Sequence, residues 1–556
     1  MRAASGDPVP RLRTTLLVGM LLGLLGGGLR LVCILRAETI ARDGTVRLHM
    51  ARELTRRPLR EVVTDYDYHP GFSMLVGATA KLTGARWPDG WILAGQLVSA
   101  VAGLVIVAAL WVIAAFVFDR RVAWVTAALA AVSGPLIEIS GDALSDMPAV
   151  ALALLAVATS TGAATALRRE RPRAIWLTGL AGLLSGLGYL VRPEALLAAM
   201  VAAALLLSVR RLTRRGRLVQ LASAGTLVAG VLVIALPYAL AVGQLTQKQT
   251  LQHFIGCGAV SHGRWIMASA RPWVETAWGR WLDGARRFFD RGRAGVGNIL
   301  SLATVLWWCT YFGRHLLRIP LPRAVMVSPR RGGHVVMFAA AIVMLPLLTA
   351  LEVRRGPDYL SSRHTLMPFL LMGVAAGAGV VVLARWTILA ADKLGRRAAR
   401  SRSVAALWAG GFVLGSLPLA FPVLHEGKGV HRQAGLAIAE HWRRTGPERP
   451  PRVLATGPWE PFYAGADVTQ FRHRRRTRRM LRARDVRSPD ALYAACRAGR
   501  YDYVAVDEAF LTAAKARKLP DRLRAHRRFD QCFGALSGGD PKQRVMVFAV
   551  RRPGEP

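Results

Sequence analysis

Acidic residues and cysteines are scarce in this 556-residue chain, which has 34 Asp and Glu against 75 Lys and Arg, and five cysteines. Cys33, Cys257, Cys309, Cys496 and Cys532 show no metal-type spacing. Only Cys496 and Cys532, both late in the chain, are candidates to pair, and pairing would require oxidising surroundings. A Walker loop, a dinucleotide fingerprint and an internal repeat are also missing, which argues against an ATP-driven transporter within this one chain. The run Gly26-Gly27-Gly28 lies inside an apolar stretch, where close helix packing explains it.

Apolar residues are abundant. They make up 53% of the chain and come in blocks, not at the amphipathic spacing of a soluble core. Crossing roughly 30 Å of hydrocarbon takes about 20 apolar residues in a helix, which alone satisfies its own backbone groups without water. Windows of this kind predict about eleven spans, near 14–35, 91–117, 122–139, 147–167, 174–191, 195–209, 218–242, 295–313, 333–351, 365–388 and 404–424. The apolar run at 16–35 follows a basic leader and is longer than a signal-peptide core, so it reads as a signal anchor. The net charge of +41 would suggest nucleic acid in a soluble protein. In a polytopic one it follows from many short basic cytoplasmic loops, and no nucleic-acid partner is expected.

The loops support this topology. With the N-terminus inside, each predicted inner connection is Arg-rich: Arg120-Arg121, 168–173, 210–217, 314–331 and 393–402. The opposite set holds the acids and most loop tryptophans: 37–90, a short turn at 138–146, the turn Arg192-Pro193-Glu194 and 243–298. The stretch 71–82 is apolar but too short to span, and counting it would invert every later loop, so it reads as an interfacial helix within a first outer loop at 36–90. Residues 1–424 thus form a membrane domain. In 425–556 a helical pattern at 430–442 and strand-like runs at 452–456, 501–506 and 544–550 predict a small α/β soluble domain, extracytoplasmic by parity. Its basic run at 472–479 would contact anionic headgroups or glycans.

Several outer residues could carry chemistry. Asp43 follows the first span and precedes a short helical pattern; Asp43-Gly44 alone is equally a turn or an N-cap. Asp65, Tyr66, Asp67, Tyr68 and His69 cluster before the interfacial segment; one Asp-x-Asp is a weak metal signal, and tyrosines are ordinary at an interface. Asp142 and Asp146, four apart, would share a face if the next helix extends backwards, although Asp146 is also a good N-cap before Met147-Pro148. Arg192 and the pair Arg363-His364 stand at outer ends of spans, where cations either anchor a helix or meet a lipid phosphate.

The order of these features resembles the polytopic GT-C glycosyltransferases, in particular the protein O-mannosyltransferase and aminoarabinose lipid A transferase group (glycosyltransferase family 39-like), across nearly the whole chain. The matching pieces are Asp43-Gly44 with Met50-Ala51-Arg52, His69-Pro70-Gly71 and onward to Leu75, Ser145-Asp146-Met147-Pro148, residues 179–188 leading into Arg192-Pro193-Glu194, and Ser362-Arg363-His364 through Pro368. Two positions depart from the family pattern: Gly44 stands where an acid usually follows the first catalytic Asp, and His364 where a Tyr often follows the late Arg.

The resemblance implies inverting transfer of a sugar from a polyprenyl-phosphate donor to a glycan, lipid or protein acceptor at the outer face of the cytoplasmic membrane. Asp43 would be the base, and Arg192 and Arg363, with His364 secondary, would bind the donor phosphate. Asp142, Asp146, Asp65, Asp67, Tyr68 and His69 would support the acceptor or the active site. Phosphate leaves readily and a monophosphate needs no counter-cation of its own, so no metal or other cofactor is expected. The alternative from another class is a transporter or flippase of a lipid-linked or anionic solute, which charged mid-span residues or an inverted repeat would favour.

Overall fold

The computed structural model describes residues 12–209, 212–246, parts of 283–294, 296–315, 327–329, 362–393, 401–446, 448–466, 481, 485–537 and 540–551. Ten of the expected spans coincide with helical segments; 333–351 lies outside the described residues. Among the described residues, seven helices are long and apolar enough to cross a membrane. An eighth crossing forms if two helices bent by 57° are one broken span.

The first half runs α1 (Leu12–Leu35), α2 (Arg42–Leu54), α3 (Leu59–Asp65), α4 (Gly71–Leu82), α5 (Asp89–Val117), α6 (Arg120–Ala131), α7 (Gly134–Gly141), α8 (Asp146–Leu167), α9 (Arg173–Val191), a 3-10 turn Pro193–Leu196, α10 (Leu197–Leu207) and α11 (Arg214–Val242). Small residues let the spans approach closely. A Cβ on Gly182 of α9 would lie 2.3 Å from the Leu227 carbonyl of α11, and one on Gly230 would lie 2.7 Å from the Gly179 carbonyl. The predicted interfacial helix is α4, with the expected bounds; it buries Phe72, Val76 and Ala80 and presents Met74, Leu75 and Leu82 outward.

The broken span is α6 and α7, interrupted at Val132-Ser133. A helix end in an apolar interior leaves carbonyls without partners. Arg30 of α1, only 1% exposed, reaches that end: its Nη1 donates to the Gly26 carbonyl at 2.8 Å and to the Ala131 carbonyl at 3.4 Å. This charge, five residues before the end of α1, therefore binds backbone at a helix break.

In the C-terminal part, a helix Gly429–Thr445 precedes a four-stranded sheet of order β1-β2-β4-β3, with β1 at Val453–Ala455, β2 at Tyr503–Asp507, β3 at Phe529–Ser537 and β4 at Asp540–Val550. β1 and β2 are parallel, and β4 runs antiparallel to β2 and β3. Alternation along the strands covers both faces: Val504, Val506, Met546 and Phe548 enter one apolar cluster, Tyr503, Ala505, Val545 and Val547 the other. β3 was absent from the expected strands; its Asp, Gln, Cys and Gly residues dilute the alternation, and two irregularities break its register with β4. Cys496 and Cys532 are free thiols. The basic run 472–479 lies outside the described residues.

Candidate active site

The chain direction brings the end of α1, the end of α7, the start of α8 and the end of α9 to one side of the bundle, where α2 lies across them. Although its sequence is polar, α2 is buried from Gly44 through Ala51, so Arg47 and His49 sit inside protein, while Asp43 is half-buried and Arg42 exposed. Asp43 lies in its first turn, with Ala41 as the N-cap residue, so the capping alternative for Asp43 is set aside. A Cβ on Gly44 would lie 2.8 Å from the Ala143 carbonyl. That contact is the physical reason for one departure from the family pattern, since an acidic side chain has no room there.

Tyr68 donates to Asp43 Oδ1 at 3.4 Å, and the Arg47 guanidinium lies 4.6 Å from the Tyr68 ring centroid. Asp146 begins α8 with Ser145 as N-cap, and its carboxylate turns across to Arg192 at the end of α9. Arg192 also pairs with Glu194 at 3.5 Å. Burial acts to lower the affinity of Arg192 for its proton, but Asp146 and Glu194 more than offset it and hold that guanidinium above its ordinary value. For Arg47, burial dominates: with opposing contributions from Tyr68, Asp43 and Asp146, and with Arg192 adding to the loss, its value falls below the ordinary one. Asp43, Tyr68, Asp146 and Arg192 thus converge, with Arg47 among them.

Asp142 faces elsewhere, which corrects the expectation that it shares a helix face with Asp146. It is the C-cap residue of α7, not a backward extension of α8. Its Oδ1 accepts from the backbone N–H of Ala41 at 2.9 Å and of Ala143 at 2.8 Å, and its Oδ2 pairs with His425 Nε2 at 2.8 Å. It therefore holds the approach to α2. The C-terminal part holds the same approach: the N–H of Gly429 donates to Glu38 at 3.0 Å, Thr39 bonds Tyr463 at 2.9 Å, and the indole N–H of Trp459 donates to the Ile40 carbonyl at 2.8 Å. Arg432 pairs with Asp89 at 3.0 Å, and Phe462 packs on His49 and Trp87. Burial, with Arg52 nearby, pushes His49 down to about 3, so it is neutral at ordinary pH.

The remaining expected residues lie around this centre. Asp65 pairs at 2.9 Å with Arg57, which also binds Glu53 and Glu61. Asp67 follows in the turn before α4. His69 bonds Thr246 at 2.9 Å within a ring of Tyr189 and Tyr238. Among the described residues no three His, Cys, Asp or Glu groups are placed to hold a metal. Arg363 and His364 begin the helix Ser362–Gly373, but their side chains lie outside the described residues. Arg47 and His425 were missed in the sequence. For Arg47 a signal existed, because it stands four residues after Asp43 and shares its helix face; for His425, nothing local marks a partner 283 residues away.

The fold is GT-C-like: apolar spans, a partly helical connection between the first two described spans, and a small C-terminal sheet packed on the same side. Residues 70–241 match the model of a family described as dolichyl-phosphate-mannose-protein mannosyltransferase, as the motifs lead one to expect. Among solved structures, the chain is similar to ArnT from Cupriavidus metallidurans bound to undecaprenyl phosphate, with TM-score 0.58 and 13% identity over 98% of this chain and 100% of that one. The Archaeoglobus fulgidus oligosaccharyltransferase is similar at TM-score 0.58 and 13% identity, over 95% of this chain and 75% of that one. The mycobacterial arabinofuranosyltransferase AftD is similar at TM-score 0.51 and 14% identity, over 96% of this chain and 42% of that one. No curated protein matches the chain in sequence.

Proposed function

We propose that this protein is an inverting glycosyltransferase that moves a sugar from a polyprenyl monophosphate to an acceptor at the outer face of the cytoplasmic membrane. The observation that carries the reading is the convergence of Asp43, Tyr68, Asp146 and Arg192 from four separate segments at one end of the bundle. The family match and the lipid phosphate named with ArnT support the donor class.

In this reading Asp43 takes the proton of the acceptor hydroxyl or amine as that atom bonds to the anomeric carbon. The bond from that carbon to the phosphate oxygen breaks, and its electron pair leaves with the phosphate. Tyr68 orients Asp43. Arg192 and Arg363, with His364 secondary, face the departing charge, and Asp146 and Glu194 fix the Arg192 fork. Asp142 acts through α2 as a positioning residue. A monophosphate leaves no second phosphate to neutralise, so no divalent metal enters the reading.

Transfer of radiolabelled sugar from a panel of polyprenyl-phosphate donors, in membranes with matched protein abundance, tests it. Asp43→Asn is expected to lower transfer by about 10²- to 10⁴-fold, the scale of a lost general base. Wild-type-level transfer by this variant would remove Asp43 as the base, and no wild-type transfer from any donor would sink the reading.

A further inference from the structure

Arg47 is the cation that the reading above leaves without a task. It is 8% exposed, and its Nε and Nη1 are buried without a hydrogen-bond partner. Arg192 beside it is committed to two carboxylates, whereas Arg47 has no ion pair within 4 Å among the described contacts; Asp43 and Asp146 act on it only through space. The guanidinium carbon lies over the Tyr68 ring, a contact that accounts for packing but supplies no acceptor for its N–H groups. A buried charge with unsatisfied donors is costly, and a site that keeps one has a use for it when something binds.

The position of Arg47 says what binds. It stands one helical turn from Asp43 on the same face of α2, where side chains have Cβ atoms about 5–6 Å apart. In an inverting displacement the base and the leaving group flank the anomeric carbon, and in inverting glycosidases the two flanking carboxyl groups are about 6.5–9.5 Å apart. The longer reach of arginine from the next turn spans such a gap, and its fork matches a phosphate in two parallel bonds.

We propose that Arg47 is a donor-binding residue whose free N–H groups take the monophosphate of the lipid carrier. This rests on the polyprenyl-phosphate reading above. Arg47 thereby holds the leaving group on the side of the sugar opposite the acceptor, while Asp43 on the preceding turn serves the acceptor. The Tyr68 ring keeps the guanidinium in one orientation before the donor arrives.

The test is equilibrium binding of undecaprenyl phosphate and of undecaprenol to the purified full-length protein in detergent, wild type against Arg47→Gln and Arg47→Lys. Wild type is expected to prefer the phosphate. Arg47→Gln should weaken phosphate binding on the order of ten- to a hundredfold, and Arg47→Lys by less, since a point charge remains without the fork. Binding of the alcohol should stay within about twofold of wild type in both, which a merely structural role for Arg47 would not give. If the phosphate preference persists at wild-type strength in whichever variant elutes monodisperse, Arg47 is not a phosphate ligand, although the donor class stands. Absence of any phosphate preference in wild type would overturn both.

Discussion

Residues 38–41 and residues 43–47 are separated by a single residue, yet they use their polar groups in opposite ways. In 38–41 each residue is held from elsewhere: Glu38 by Gly429, Thr39 by Tyr463, Ile40 through its carbonyl by Trp459, and Ala41 through its N–H by Asp142. In 43–47 a carboxylate and a guanidinium share a helix face without pairing, and the guanidinium keeps unused donors. The first stretch is a clamp, and the second is the working surface of the proposed function. A clamp made of satisfied hydrogen bonds lets the next turn carry unsatisfied ones, because the geometry there is fixed without them.

Three changes test that division. The largest effect is expected at the buried pair beside the working surface: Asp146→Ala leaves Arg192 with Glu194 alone, and losing one partner of a buried pair costs about 3–5 kcal/mol. Thermal unfolding of the detergent-solubilised protein reads this, and an unchanged midpoint would mean that the pair is no anchor. On the clamp side, Asp142→Ala removes the acceptor of two backbone N–H groups and of His425, expected to cost about 2–3 kcal/mol. As a positioning change it should lower kcat with little effect on the donor KM, and Asp142→Asn should recover part of the loss; a KM effect alone would place Asp142 against substrate instead. The smallest is Trp459→Phe, which keeps the ring but loses one N–H bond, about 1 kcal/mol, read by the same unfolding measurement and by a few-fold drop in kcat. No change in either would show that the C-terminal part docks without clamping.

Much of the fold is legible in the sequence because hydrocarbon imposes a simple rule on it. Long apolar windows separated by alternately basic loops give the spans, and the short window at Gly71–Leu82 is recognised as too short to cross. β3 is hidden because its polar residues and bulges spoil the period of two. In the site, Asp43, Asp146 and Arg192 stand out as charges at span ends. The pairing of Asp146 with Arg192 is not visible across 46 residues, nor is the separation of Asp142 from Asp146, which depends on where α8 begins. Arg47 was passed over because an arginine on a polar helix reads as solvated; burial of α2 on all sides is a tertiary fact.

Arg30 has a consequence for assembly. On insertion scales an arginine at the centre of a span costs about 2.5–3.5 kcal/mol and less toward its ends, and α1 carries one five residues from its end. Part of the partner that accommodates it, the buried C-terminal end of α6, is synthesised about a hundred residues later. The first span is therefore not a self-sufficient anchor. It is completed by a later part of the same chain, which the break between α6 and α7 presents to it.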